Sequence, residues 1–248
     1  APYRMTHRLH IDILAQPDQT SCGPTCLHAV YRYYGDDQEL AAVIARAPRL
    51  SEGGTLAVML GCDALRRGYQ VSIHTYNLHV FDPTWFAHGV DLPARLRRQR
   101  EIKLDDPKLH VATDAYLEYL ALGGRVLWRD LTAGLLRHYL NRSVPILTGL
   151  SSTYLYQEAR EAPPADRPDD LQGVPAGHFV VLSGYDKRSR TVSVADPLAN
   201  TPLAALQHYS VPTARVVCAI LLGVLTYDAN FLIIEPPEGG PRGGSKTS

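Results

Sequence analysis

Cys22 closes a polar loop, Gln16-Pro-Asp-Gln-Thr-Ser-Cys22, at the point where the chain turns helical. Apolar residues at Cys26, Leu27, Val30 and Tyr34 recur on a 3.6-residue period and predict a helix over Gly23 to Tyr34. Ser21 or Thr20 is placed to cap it, and Pro24 is tolerated in a first turn. The unpaired amides and the dipole at a helix N-terminus favour negative charge, so a thiol there is biased toward thiolate, the nucleophilic form. A buried structural cysteine is the competing reading of Cys22 taken alone. Cys26 lies one turn on. Side chains four apart on a helix have Cβ atoms about 5–6 Å apart, too far for a disulfide, and no second ligand pair at zinc spacing is present. Cys26 therefore reads as core.

A thiolate nucleophile needs a base. His178 follows Gly177 and opens the strand-like run Phe-Val-Val-Leu, a position from which an imidazole can face a cleft on a rigid backbone. Asp196 ends the next strand-like run, before Pro197. If the two runs form a hairpin turning near Lys187, residues 178 and 196 fall opposite each other, and Asp196 can accept from the imidazole and stabilise its charged form. An Asp-Pro at a strand end is otherwise an ordinary turn signal. Gln16, six residues before Cys22, has a side-chain NH₂ able to join the Cys22 backbone N–H as an oxyanion hole.

Together these segments resemble a known family. Gln16-Pro-Asp-Gln-Thr-Ser-Cys22-Gly-Pro-Thr-Cys26-Leu, followed by Tyr33-Tyr34-Gly35, is similar to the nucleophile segment of the bacteriocin-processing, papain-like cysteine peptidases of bacteria. Gly177-His178-Phe-Val-Val-Leu and Val192-Ser-Val-Ala-Asp196-Pro197 resemble that family's His strand and Asp-Pro segment. The resemblance implies an α+β, papain-like fold: an N-terminal helical part carrying the nucleophile helix and a C-terminal antiparallel sheet carrying His and Asp. It implies Cys22 as nucleophile, His178 as general base, Asp196 as its orienting partner and Gln16 as oxyanion donor. The expected substrate is a peptide or protein, with no metal or organic cofactor. Cleavage after a double glycine in a leader peptide is inherited from the family alone. Two rivals share the sequence features: an acyltransferase using the same acyl-enzyme, and a silent domain that binds peptides without cutting them.

Placing these groups falls to a first third that reads mainly as helices and a sheet-forming last third. Asp36 with Glu39 resembles a capping box before Leu40, Val43 and Ile44, and Thr55 is placed to cap a third helix that ends at Gly68. Val71, Ile73 and Thr75 alternate as a strand. Helices are expected over Leu92 to Lys103, Thr113 to Leu122, Thr132 to Asn141 and Thr213 to Leu225. Strands are expected at Val144 to Leu150, His178 to Tyr185, Thr191 to Asp196 and Phe231 to Glu235. One domain spans 1–235. Within it, 81–130 and the Pro- and Asp-rich loop 158–173 read as insertions relative to the family, and 236–248 reads as a disordered tail. Gly53-Gly54 and Gly123-Gly124 read as caps and turns, and Gly239 to Lys246 lacks the lysine placement of a phosphate-binding loop.

The 248 residues carry 25 Lys and Arg against 25 Asp and Glu, which removes the electrostatic footprint of a nucleic-acid binder. The basic run Arg95, Arg97, Arg98 and Arg100 reads as a solvated helix face. Val216 to Leu225 is ten residues where a membrane span needs about 20, whereas many relatives are fused to a transporter. Four scattered cysteines make no disulfide framework. Free thiols suggest a reducing, cytoplasmic setting, with a processed secreted form left open. Oligomeric state leaves no mark.

Overall fold

The computed structural model describes residues 6–51, 53–162 and 167–237. In chain order, β1 (Thr6–Arg8) leads to α1 (Cys22–Tyr33), α2 (Leu40–Arg46), α3 (Ala57–Arg66) and β2 (Gln70–Thr75). A short 3-10 helix at Pro83–Phe86 precedes α4 (Leu92–Ile102), α5 (Pro107–Ala121) and β3 (Arg125–Leu127). Then come α6 (Ala133–Asn141), β4 (Ile146–Ser151), α7 (Ser152–Tyr156), β5 (Glu161–Ala162) and β6 (Arg167–Pro168). The chain continues through β7 (Gly177–Asp186), β8 (Thr191–Ala195), β9 (His208–Pro212), α8 (Thr213–Leu222), a 3-10 turn at Gly223–Thr226 and β10 (Asn230–Glu235).

The fold is α+β, built on a central sheet in the order β3-β2-β10-β4-β7-β8-β9. The sheet recruits more of the chain than the sequence suggested. β2, from the helical first third, pairs antiparallel with β10, and β3 adds to β2 in parallel, so the sheet is mixed. β7 is its hub: β4 pairs along 177–182 on one side, β1 along 184–186, and β8 on the other side. α1 packs on β7 and β4, and α3 on β2 and β10. Ten of the twelve residues of α1 are buried, more than one apolar face would bury, because this helix fills the centre of the molecule. Cys26, fully buried, donates from Sγ to the carbonyl oxygen of Phe179 at 3.3 Å and ties helix to strand.

The 81–130 region is packed into this same core. Phe81, Leu96, Leu109 and Tyr119 are among the most buried side chains, and the Tyr119 hydroxyl donates to the carbonyls of Val71 and Arg125. α5 begins at Pro107, earlier than the expected Thr113, because Asp106 caps it through the Leu109 N–H. The 158–173 stretch, expected as loop, holds the two short strands β5 and β6, paired antiparallel. Glu161 bridges to Val174, and the N–H of Asp169 donates to the Arg160 carbonyl at 2.7 Å. Residues 163–166 of this stretch and 238–248 of the tail lie outside the described residues.

Three expected caps are replaced by other partners. Ser21 precedes α1 but its Oγ donates to the Asp18 carbonyl rather than capping the helix. Asp36 makes no capping box. Its carboxylate pairs with the Arg67 guanidinium at 2.7 Å and accepts from Tyr69. Thr55 does not cap α3: that helix starts at Ala57, whose N–H donates to the Asp228 carboxylate. The glycine pairs do act as turns. Gly53, Gly54 and Gly123 have φ of 91°, 73° and 90°, which side-chain-bearing residues rarely adopt.

Candidate active site

Cys22 is the first residue of α1, where the opening turn leaves backbone N–H groups without helical partners. It is 8% exposed, as is His178 at the start of β7, while Asp196 is completely buried. The imidazole Nε2 of His178 lies 2.9 Å from Oδ1 of Asp196. Cys22 lines the same cleft as His178 and acts on the imidazole as a neighbouring group that favours its charged form. The fold thus brings three of the four expected residues into one chain of contacts from helix end to strand end.

The route from His178 to Asp196 differs from the expected one. Above the bulge at Leu182/Gly184, the β7–β8 register pairs Val181 with Ala195. One step further sets position 196 level with Val180 rather than 178, so the contact is diagonal. The register differs from the simple hairpin by two residues, and an even slip keeps both side chains on one face.

Asp196 is also held by groups the sequence did not flag. Its Oδ2 accepts from the hydroxyls of Tyr156 (2.7 Å) and Tyr209 (2.6 Å), and Oδ1 also accepts from the Leu198 N–H at 2.9 Å. Four donors on a fully buried carboxylate satisfy a charge that burial alone would expel. Burial pushes the Asp196 carboxyl up. The bonds from His178, Tyr209 and Tyr156 outweigh it and leave the group below the usual carboxylate range. Burial likewise disfavours a charged His178, but its bonds to Asp196 and Cys22 win and raise it well above an ordinary histidine. The Tyr156 and Tyr209 hydroxyls are pushed up by burial and by the Asp196 charge, so they stay protonated as donors. Burial also drives Cys26 up, with charge at Cys22 and Asp196 adding to it. All four cysteines are free thiols.

Gln16 sits beside this chain of contacts. Its backbone N–H donates to the Pro197 carbonyl at 2.8 Å, and its side-chain NH₂ donates to the Asp18 carbonyl, also at 2.8 Å. An amide NH₂ has two hydrogens, so one remains for another acceptor. The Gln16 Oε1 is buried without a partner.

The site opens into a cleft with two halves that share Gln19, Glu161, Ala176, Gly177 and His178. The half containing Cys22 has a volume of about 630 Å³ and includes Leu150, Phe179 and Asp228. The other, about 300 Å³, is more polar and includes Gln16, Ser152 and Asn200. Among the described residues, no group of three or more His, Cys, Asp or Glu side chains is arranged to hold a metal ion. No helix among them is long and apolar enough to cross a membrane.

Residues 123–215 match the model of the Peptidase_C39 like family. This stretch resembles the C39-like peptidases. It includes β7, β8 and β9, and so both His178 and Asp196, while Cys22 and Gln16 precede it. The C39-like family is one of cysteine peptidases with a papain-like fold, the class and architecture expected from the nucleophile and histidine segments. Among solved structures, a C39-like peptidase described as putative, from Bacillus anthracis, superposes with a TM-score of 0.51 at 12% identity, covering 94% of this chain and 98% of that one. The peptidase domain of Streptococcus ComA, a bi-functional ABC transporter involved in quorum sensing, gives a TM-score of 0.43 at 14% identity, covering 92% and 99%. Xylellain, a cysteine protease from Xylella fastidiosa, gives 0.44 at 14% identity, covering 94% and 86%. The likeness to the Bacillus protein is one of fold. No curated protein matches the chain in sequence.

Sequence reading missed Tyr156, Tyr209 and Asp228. Tyr209 and Val211 alternate in a strand, a pattern that announces burial but not a carboxylate partner. Tyr156 ends a five-residue helix 40 residues from Asp196, with no local signature.

Proposed function

We propose that this C39-like chain cleaves a peptide bond through Cys22 as nucleophile, His178 as general base and acid, Asp196 as the group that orients and charges the imidazole, and Gln16 as an oxyanion donor. The observation that carries the reading is the buried 2.9 Å His178–Asp196 contact, with Cys22 in the same cleft lining and favouring the charged imidazole. A histidine held in its charged form beside a cysteine stabilises a thiolate, the species that attacks a carbonyl carbon.

In the first half-reaction the Cys22 sulfur bonds to the substrate carbonyl carbon. The oxygen takes up the charge, met by the Cys22 backbone N–H and by the second Gln16 NH₂ hydrogen. The C–N bond then breaks, and the His178 proton goes to the departing amine. In the second half-reaction His178 accepts a proton from water as its oxygen attacks the thioester. The C–S bond breaks, releasing a carboxylic acid product and restoring Cys22 and charged His178. Asp196 keeps its charge throughout.

The test is an irreversible thiol probe with adduct mapping, run beside peptide turnover. Modification of Cys22 in step with loss of turnover is the expected result. Full turnover after complete Cys22 modification would eliminate the covalent route.

A further inference from the structure

Asp228 has no part in the chemistry above, yet it lines the Cys22 half of the cleft. It lies between the Gly223–Thr226 turn and β10 and is only 5% exposed. Its Oδ1 accepts from the Ala57 N–H at 3.2 Å, at the start of α3, and from Asn230 Nδ2 at 3.0 Å. Its Oδ2 is buried with no partner. A buried carboxylate oxygen left unpaired is uncommon and costly. Capping α3 uses Oδ1 alone and does not account for Oδ2. The carboxyl also depends on Gly149, where a Cβ would lie 2.8 Å from Oδ2 and 2.7 Å from the carboxyl carbon. Burial pushes Asp228 up to about 7, against the hydrogen bonds from Asn230 and Ala57 and the field of Lys108.

The surroundings narrow what could complete this group. Leu50, Leu150, Val174, Phe179 and Leu225 supply apolar surface around a space of about 630 Å³. Lys108 is in the same lining, with its ammonium 5.3 Å from the centre of the Tyr227 ring, and it acts on Asp228 through its field. Glu161 adds a second carboxylate to the lining. Long basic side chains suit such a space, since their methylene stems pack on apolar walls while the charged tip seeks a partner.

We propose that the Cys22 half of the cleft is a subsite for a substrate side chain with an apolar stem and a cationic tip, lysine or arginine, and that Asp228 meets that tip. The proposal rests on reading Cys22 and His178 as the reacting pair, and it adds the substrate class. The incoming ammonium or guanidinium gives Oδ2 its missing donor, so part of the affinity comes from relieving an unpaired buried acceptor. An aliphatic side chain of equal length fills the walls but leaves Oδ2 unpaired. An acidic one meets Asp228 and Glu161 as like charges.

The test scans each position of a short peptide with Lys, Arg, norleucine and Glu at pH 8. Binding to the Cys22→Ala protein is read by fluorescence anisotropy, and turnover is read with the parent enzyme. At one position Lys or Arg should bind at least about tenfold tighter than norleucine, a difference of about 1.4 kcal/mol. Adding Asp228→Asn, whose Oδ1 can still cap Ala57, should reduce that preference to about twofold or less. Asp228→Ser, another capping residue, should do the same and serves if the Asn variant does not fold. No position preferring a basic side chain, or a preference unchanged by both substitutions, would overturn the subsite. Because binding is read without Cys22, the two readings separate. Basic preference with no turnover by the parent supports the subsite and sinks the nucleophile. Turnover without the preference does the reverse.

Discussion

The backbone N–H of Gln16 donates to the carbonyl oxygen of Pro197, the residue after Asp196, at 2.8 Å. The loop that carries the proposed oxyanion donor is thereby tied to the segment that carries the imidazole's partner. Asp196 is bonded in turn to His178. Loop and strand end are joined by direct hydrogen bonds, although their residues are separated by most of the chain.

Cys22 should be the first cysteine alkylated when the protein is treated with iodoacetamide near pH 6, where an ordinary thiol is overwhelmingly protonated. Cys26 and Cys62 are buried, and burial pushes Cys62 up to about 12. Cys218 is exposed and provides the internal control. Peptide mapping that finds Cys218 labelled faster than Cys22 at that pH would remove the catalytic assignment.

Within the proposed triad, Cys22→Ala should lower kcat by about 10⁴-fold or more with the fold intact, and His178→Ala nearly as much. Asp196→Asn should cost less activity than either but more stability. Its amide NH₂ would face groups that are already donors, a mismatch worth roughly 1–3 kcal/mol. Kinetics and thermal melts of the three variants check both orders.

Tyr156→Phe and Tyr209→Phe each remove one O–H from a buried carboxylate and should destabilise the protein by roughly 1.5–3 kcal/mol. Asp196 is lowered in the folded state, so its contribution is present above the ordinary carboxylate pKa and is lost as pH falls through the folded value. Removing a donor raises that folded value. The acid limb of a stability–pH curve should therefore move to higher pH in both variants, and a curve that drops uniformly at all pH values would point to packing loss alone.

Asp228 makes the opposite contribution. Its folded value of about 7 stands above that of an ordinary aspartate, so stability is greatest below pH 4 as far as this group is concerned and declines as pH rises toward 7. The shift of about three units corresponds to roughly 4 kcal/mol at most. Asp228→Asn should be closest to the parent in stability near pH 4, gain on it up to about pH 7 and hold that margin to pH 8. Denaturant melts across that range read the difference, and parallel curves would show that the carboxyl does not titrate as described.

The β5–β6 pair runs close to the proposed base, since Glu161 bridges to Val174, four residues before His178, and lines both halves of the cleft. Exchanging residues 158–173 for a short Gly-Ser linker should leave the thermal midpoint within a few degrees, because surface loops contribute little closure entropy. It should change relative rates across neutral, acidic and basic peptides. Unchanged relative rates would reduce the segment to a connector.

How much of this was legible in the sequence followed from how local each signal was. The helix after Cys22 and the strand after His178 carry their own periodicity, and both were recognisable, as was the α+β class. The Thr55 cap was misread because the group that meets Ala57 comes from Asp228, 171 residues away. The His178–Asp196 register lies two residues from that of a hairpin turning at Lys187 because the turn spans 187–190, centred later, and the bulge at Leu182/Gly184 takes back only one residue of the difference. Tyr156 and Tyr209 converge on one carboxylate from different elements, and nothing in either segment announces the meeting.

The Cys26–Phe179 bond has a mechanical consequence. One helical turn beyond the thiol proposed to react, a second thiol donates to the backbone carbonyl one residue beyond His178. The separation of acid and base is thus gauged from behind, by atoms that no substrate touches. For the proposed pair this means that helix and strand are already joined before any substrate arrives, so binding energy need not be spent on bringing them together.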